Sequence, residues 1–284
     1  MMMAEAPDVA SGRRTRGQRS GDTKSELRRR EIASHVLGVG SATAQDLAAR
    51  FDVSIVTIHR DLDELERRGV VRKFHGGVSA QPSSVFESQM EYRLTTNLQA
   101  KRSIAAAALN YVHPGMSILL DDSTTVLPMV DGLAERQPLH VATTFLPCLN
   151  QLAESAVDND LTVIGLGGRY DAAHDSFVGV QTTQQVENIH VDAAFVSTSA
   201  VWQLEMFHQE EQIAALKRAM LAAASQRYLL IDHSKLNRLA LLRVAPLREL
   251  TTIITDEQAD PELLKIWADA GISYEIAPTL TADH

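Results

Sequence analysis

The chain holds one cysteine, Cys148, among 284 residues. It can make no intramolecular disulfide, and without a second thiol it can build no zinc knuckle. No apolar run reaches the ~20 residues of a bilayer span. The opening segment, MMMAEAPDVASGRRTRGQRSGD, lacks the apolar stretch of a signal peptide. These absences predict a soluble cytoplasmic protein with no membrane partner. His174, His190, His208 and His233 share no metal-ligand spacing, so neither a metal nor another cofactor is expected. No internal repeat is apparent.

What is present is the composition of an ordinary globular protein, 45% hydrophobic and 22% charged. Its length suits two domains. The formal charge of −9 is unevenly spread: residues 1–80 carry +3 and residues 81–284 carry −12. Basicity gathered at one end fits a small domain that meets a polyanion.

Residues 1–23, rich in Gly, Ser, Arg and Ala, read as a disordered basic tail. From residue 24 the pattern turns helical. Leu27, Ile32, Val36 and Leu37 keep helical spacing up to Gly38 and Gly40. SATAQDLAARF predicts a second helix with Leu47, Ala48 and Phe51 inward. Asp52 and Val53 make a turn, and Ser54 caps a third helix whose expected buried stripe is Ile55, Ile58, Leu62 and Leu65. VVRKFHGGV alternates and ends on glycines, as a two-stranded wing does. Residues 24–78 therefore predict a winged helix-turn-helix and 79–90 a linker.

Residues 91–278 alternate seven short apolar strands with amphipathic helices: SILL, LHVAT, LTVIGLGG, AAFVST, RYLLID, LTTIIT and SYEIA are the strands. The fold class is thus α/β, a winged helix-turn-helix followed by a mainly parallel sheet covered by helices.

In a winged helix-turn-helix the start of the recognition helix enters the major groove of double-stranded DNA. Here that places Ser54, Val56, Thr57, His59 and Arg60 at the DNA, with Arg72, Lys73 and His75 of the wing on an adjacent groove or the backbone. Arg67 and Arg68 lie beyond the entering turn and read as a solvated face paired with nearby carboxylates. Symmetric half-sites would require at least a homodimer.

The stretch SIVTIHRDLDELERRGVVRKFHGG resembles the winged helix-turn-helix of the DeoR family of bacterial sugar-metabolism regulators, which typically shows "S…TIRRDL…LE..G…R.HGG". His59 stands where that family usually has arginine. The resemblance continues through EYR…N…K…IA..A (91–108), LLDDSTT against the family's LDSGTT, VATT against VVTN, GLGGRYDAAHDSFVG, and LLIDHSKL against L.DHSKF. It implies an effector domain with a fold shared by sugar-phosphate isomerases, and a phosphorylated sugar as effector.

The residues suit such a ligand. Asp121, Asp122, Ser123, Thr124 and Thr125 follow a strand and precede a helix, where backbone N–H and hydroxyl groups gather. Other strand ends supply Thr143 and Thr144, Gly167, Gly168 and Arg169, and Asp232 with Lys235; Lys217 is expected to complete an anion clamp. One of the two adjacent aspartates is expected to cap the helix or to bind sugar hydroxyls. The reading is a DNA-binding transcriptional regulator, a repressor of a carbohydrate operon, with no catalytic residue. The alternative is an isomerase-like enzyme with an appended DNA-binding domain, its chemistry sought among Glu205, His208, Glu210 and Glu211.

Overall fold

A computed structural model describes residues 24–39, 41–67, 70–74, 76–80, 90–157 and 159–280. The expected basic tail, Gly40, Arg68, Gly69, His75 and residues 81–89 lie outside that set. The chain divides into two compact units, residues 1–82 and 83–284.

The first unit contains α1 (Lys24–Val39), β1 (Ser41–Thr43), α2 (Ala44–Phe51), α3 (Ile55–Arg67), β2 (Val71–Phe74) and β3 (Gly77–Ala80). Thr43 caps α2 by accepting from the Asp46 N–H, and Asp52 ends it in a left-handed turn at φ 49°. Ser54 caps α3: its Oγ accepts from the Thr57 N–H at 3.2 Å. Ile32, Ala33, Val36, Leu47, Ile58, Leu62 and Leu65 form the core between the helices. Ile55, expected in the stripe, is 41% exposed. Helical side chains lean toward the N-terminus, so the first residue of α3 leans off its end.

The wing gains a third strand that the sequence did not reveal. β3 pairs antiparallel with both β2 and β1. Ser79 and Ala80, assigned to the linker from composition, continue this ladder. The two glycines have different jobs. Gly76 takes a left-handed turn at φ +87°, whereas a Cβ on Gly77 would lie 2.6 Å from the Ala42 carbonyl.

The second unit opens with α4 (Met90–Thr95) and α5 (Leu98–Ala108). There follow β4 (Ser117–Leu120), α6 (Val130–Leu133), β5 (Leu139–Thr143), α7 (Leu146–Ala156), β6 (Leu161–Gly165), β7 (Arg169–Asp171), β8 (Ser176–Val178), α8 (Val180–Glu187) and β9 (Val191–Val196). The chain ends with β10 (Ala200–Trp202), β11 (Glu205–His208), α9 (Glu211–Ala222), β12 (Ala224–Leu230), β13 (Leu242–Pro246), β14 (Thr252–Asp256), α10 (Pro261–Asp269) and β15 (Tyr274–Ala277).

All seven expected strands join one parallel sheet in the order β15-β14-β12-β9-β4-β5-β6. Successive residues serve opposite faces, the period of a strand. Ile118 and Leu120 pack with α5, α6 and α7 residues, whereas Leu119 packs with those of α8, α9 and α10. The chain runs outward from β4 through β5 to β6, then returns to β9 on the other side of β4 and continues outward to β15. The reversal between β4 and β9 is a topological switch point, where the carboxyl ends of adjacent strands leave a crevice. β7–β8 and β10–β11–β13 form two small antiparallel sheets beside it.

Candidate functional site

On the first unit, the DNA-facing expectations fall mostly on exposed surface. Val56 is 59% exposed, and His59, Arg60 and Arg72 are also exposed. Thr57 is half-buried and its hydroxyl bonds to Ser54 Oγ at 2.9 Å, so these two hydroxyls shape the helix start as well as facing outward. Lys73 is less available than its sequence suggested. Its ammonium pairs with Asp63 on α3, and its backbone N–H donates to Glu66 at 2.8 Å. Arg67 pairs with Glu64. His75 is outside the described residues.

Asp61 has a role that the sequence reading missed. Arg28 Nε lies 2.6 Å and Arg29 Nε 3.0 Å from its carboxylate, and its side chain is 2% exposed. The aspartate of RDL thus clamps α1 to α3 instead of joining the solvated charge on α3.

On the second unit, the switch-point crevice gathers most of the expected ligand residues. Across the sheet the strand ends present Asp232, Ser197, Asp121 and Thr144 in turn, from β12, β9, β4 and β5. Every one is buried.

The β4 end is a carboxylate pole. Asp121, fully buried, accepts from the Ser123 N–H at 3.0 Å, the Ser197 N–H at 2.6 Å and Lys217 Nζ at 2.6 Å. Asp122 accepts from Lys217 at 3.1 Å and Ser176 Oγ at 3.3 Å. Burial alone would push Asp122 up, but Lys217, Arg93 and the nearby histidines hold it well below the ordinary carboxylate range. Lys217 is 3% exposed, and despite burial its two carboxylates raise it above the ordinary lysine value. One ammonium therefore faces two carboxylates. Lys217, expected to complete an anion clamp, thus has its charge engaged by Asp121 and Asp122.

His174 and His208 flank this pole. His174 Nδ1 lies 3.2 Å from Asp171, and Nε2 lies 3.1 Å from Glu210 Oε1, close in distance but off-line for a hydrogen bond. Burial disfavours its charged form, but Glu210 and Asp122 outweigh it and raise the pKa. His208 goes the other way: burial and then Lys217 push it down to about 3, and its Nδ1 accepts from the Glu210 N–H at 3.1 Å.

The β12 end is a cationic pole. Asp232 accepts from Asn97 Nδ2 at 2.8 Å and from the Ser234 N–H at 3.1 Å, which caps the turn carrying Lys235. Lys235 Nζ lies 4.0 Å from Asp232. Lys101 is 4% exposed; burial and then the charge of Lys235 lower its pKa to about 7. Lys101 Nζ donates to the Arg93 carbonyl, which also accepts from Thr124 Oγ1 at 3.2 Å. That shared acceptor joins the cationic pole to the 121–125 loop.

Five buried polar atoms around the crevice have no hydrogen-bond partner among the described residues: Thr125 Oγ1, Thr144 Oγ1, Ser197 Oγ, Arg93 Nε and His174 Nε2, the last with Glu210 close by but off-line. Buried polar atoms are normally satisfied, so such a convergence points to a polar ligand. Arg93, Asn97, Lys101 and Ser197 were not picked out from the sequence. The first three lie within EYR…N…K, whose spacing had marked an entry helix but no ligand role.

Other expected residues have contacts within the fold. Ser123 Oγ accepts from the Val126 N–H at 3.1 Å, and Thr143 Oγ1 from the Phe145 N–H at 3.1 Å. At Gly168 a Cβ would fall 2.0 Å from Thr182 Oγ1, so glycine is needed there for close packing onto α8. Arg169, on β7, is 59% exposed and donates to Gln212 at 2.6 Å. Residues 121–125 lead into a 3-10 turn (127–129) and the four-residue α6, not a long helix. The helix-start donors anticipated for phosphate are correspondingly few.

Two family models cover these two units. Residues 28–84 match the DeoR-like helix-turn-helix domain, and residues 96–257 match the DeoR C terminal sensor domain. The chain belongs to the DeoR family. This DeoR-family chain is 31% identical to the lactose phosphotransferase system repressor of Streptococcus mutans, over 86% of its own length and 96% of that protein. It is 30% identical to the L-fucose operon activator of Haemophilus influenzae, over 80% and 90% of the two lengths. Among solved structures, ribose 5-phosphate isomerase A of Methanocaldococcus jannaschii matches 49% of this chain and 55% of that chain at 18% identity and a TM-score of 0.36. That last likeness is too slight to support more than itself.

Proposed function

We propose that this DeoR-family transcriptional regulator is a cytoplasmic repressor of a carbohydrate operon, released or tightened on its operator by a phosphorylated sugar bound in the switch-point crevice. The single observation that supports this most is the ring of unpartnered buried donors between two oppositely charged poles. The poles lie on strands two apart in the sheet, roughly 10 Å at ordinary strand spacing. That span suits a sugar phosphate lying along the crevice. Its phosphate would sit toward Lys101 and Lys235. Its hydroxyls would face Asp121, Asp122, Thr125, Thr144 and Ser197.

On the first unit, Val56, Thr57, His59, Arg60 and Arg72 form the operator-facing surface, with Arg60 the main candidate for a guanine edge. Lys73 contributes less, because Asp63 competes for it. A symmetric operator implies at least a homodimer.

The isomerase reading is the weaker one. A proton shuttle needs a group titrating near the working pH. Of the residues sought for that role, burial holds His208 neutral, its pKa pushed down to about 3, and the crevice group nearest that range, Lys101 at about 7, is bonded to the Arg93 carbonyl. Glu205 is paired to Arg243 at 2.7 Å. The test is direct. The purified full chain should retard DNA from upstream of its own gene at low salt, and one member of a panel of phosphorylated sugars should change that affinity without being consumed. Failure to bind the DNA overturns the regulator reading, and turnover of a panel member overturns the sensor-only reading.

A further inference from the structure

The helix α4 (Met90–Thr95) is the first described element after the DNA-binding unit, and three bonds tie it to the crevice. The Met90 N–H donates to the Ala173 carbonyl at 3.2 Å. The neighbouring His174 and Ser176 reach Glu210 and Asp122. The Arg93 carbonyl accepts from Thr124 Oγ1 of the 121–125 loop and from Lys101 Nζ of the cationic pole. The Arg93 side chain enters the same space. Its charge acts on Asp122, His174, His208 and Lys101 alike. Among the described residues its Nε is buried without a partner, and its Nη2 lies 3.7 Å from the Met90 sulfur.

We propose that Arg93 is the effector's reporter: its guanidinium takes an anionic oxygen of the bound ligand, and α4 carries that occupancy to the chain leading to the DNA-binding unit. This rests on the crevice being the effector site. A half-buried guanidinium with an unfilled donor forms a strong charge-assisted bond when an anion arrives. Its own backbone carbonyl already holds Lys101 and Thr124, so filling the side chain tightens a helix that both poles touch. Binding and response are then separable. Lys101 and Lys235 hold the anion, and Arg93 couples it to a helix that can shift.

The test is hydrogen exchange on the full chain, with and without millimolar inorganic phosphate as the group common to every phosphorylated sugar. In the wild type, phosphate should slow exchange at least threefold both in residues 121–125 and in α4. In Arg93→Gln, which keeps a helix-forming residue and the backbone carbonyl, the 121–125 protection should persist while that of α4 disappears. Melting of the unliganded variant within a few degrees of wild type verifies its fold, and Arg93→Lys, which keeps charge without the guanidinium fork, should show partial α4 protection. Protection of 121–125 without any in α4 of the wild type overturns the coupling and leaves the effector site standing. Unchanged α4 protection in Arg93→Gln also overturns it. No protection in either segment overturns both.

Discussion

Replacing Lys217 with methionine tests whether the crevice is held together by the charge balance described above. The substitution keeps the chain length and removes one ammonium from between two carboxylates. The lysine side chain is 4% exposed, and those of Asp121 and Asp122 are 0% and 4%. No solvent is available to take over its role. Breaking a buried ion pair by removing one member costs about 3–5 kcal/mol. With a urea dependence of ~2 kcal/mol/M, the midpoint should fall by roughly 1.5–2.5 M. Both tryptophans, Trp202 and Trp267, lie in the second unit, so their fluorescence follows that unit's unfolding.

The pH dependence has a definite sign. In the native chain Lys217 keeps Asp122 below its ordinary value, a contribution that is present above the unfolded pKa and is lost as pH falls through the folded one. Without Lys217, burial dominates and raises the carboxyl above the ~3.9 of the unfolded chain. The deficit of Lys217→Met should therefore grow as pH rises from about 4 toward 7. Adding Asp122→Ser should recover part of the loss. A deficit under about 1 kcal/mol, or one equal at pH 5 and pH 7, would refute the charge-balance argument.

Three further outcomes are expected. Asp61→Ala should destabilise the first unit by about 2–3 kcal/mol, less than for a fully buried pair because Arg28 and Arg29 are 20% and 24% exposed, as read from the loss of helical circular dichroism on heating. Arg60→Ala should weaken specific operator binding by about 1–3 kcal/mol in a mobility-shift titration while leaving ligand-induced stabilisation intact. Lys101, lowered to about 7, should regain its proton when an anion binds beside it. Affinity for a phosphorylated sugar should then fall as pH rises above 7, by at most about tenfold per unit, and calorimetry in buffers of different ionisation enthalpy should show uptake of a proton near pH 8.

The large-scale design was legible because its signals are periodic. Seven apolar segments of four to eight residues, separated by amphipathic stretches, define the parallel sheet, and all seven are found there. The antiparallel pairs β7–β8 and β10–β11 escaped because strands of three or four residues are too short to carry a readable apolar alternation. β1 was hidden for the same reason, and its pairing with β3 is set by the close approach at Gly77. The candidate crevice was legible at strand ends, where Asp121, Thr144 and Asp232 lie buried on neighbouring parts of the sheet. What could not be read was which partner each charge would choose. Lys217 and Lys235 look alike in sequence, yet one is enclosed by two carboxylates and the other lies on the rim of the cationic pole. Lys101 and Arg93 come from a helix pair far from the strand ends in sequence, and only the tertiary fold brings them over the crevice.

The most direct measurement is a titration of operator-bound full chain with a panel of phosphorylated sugars, followed by fluorescence anisotropy for the wild type and for Lys235→Ala combined with Thr144→Val. Thr144→Val removes an unpartnered buried hydroxyl, so the unliganded variant should be at least as stable as the wild type apart from the small effect at the half-buried Lys235. One sugar phosphate should change operator affinity in the wild type, and the double variant should bind the operator equally well but respond only at tenfold or higher concentration. An unchanged response in the double variant would place the effector elsewhere and contradict the account.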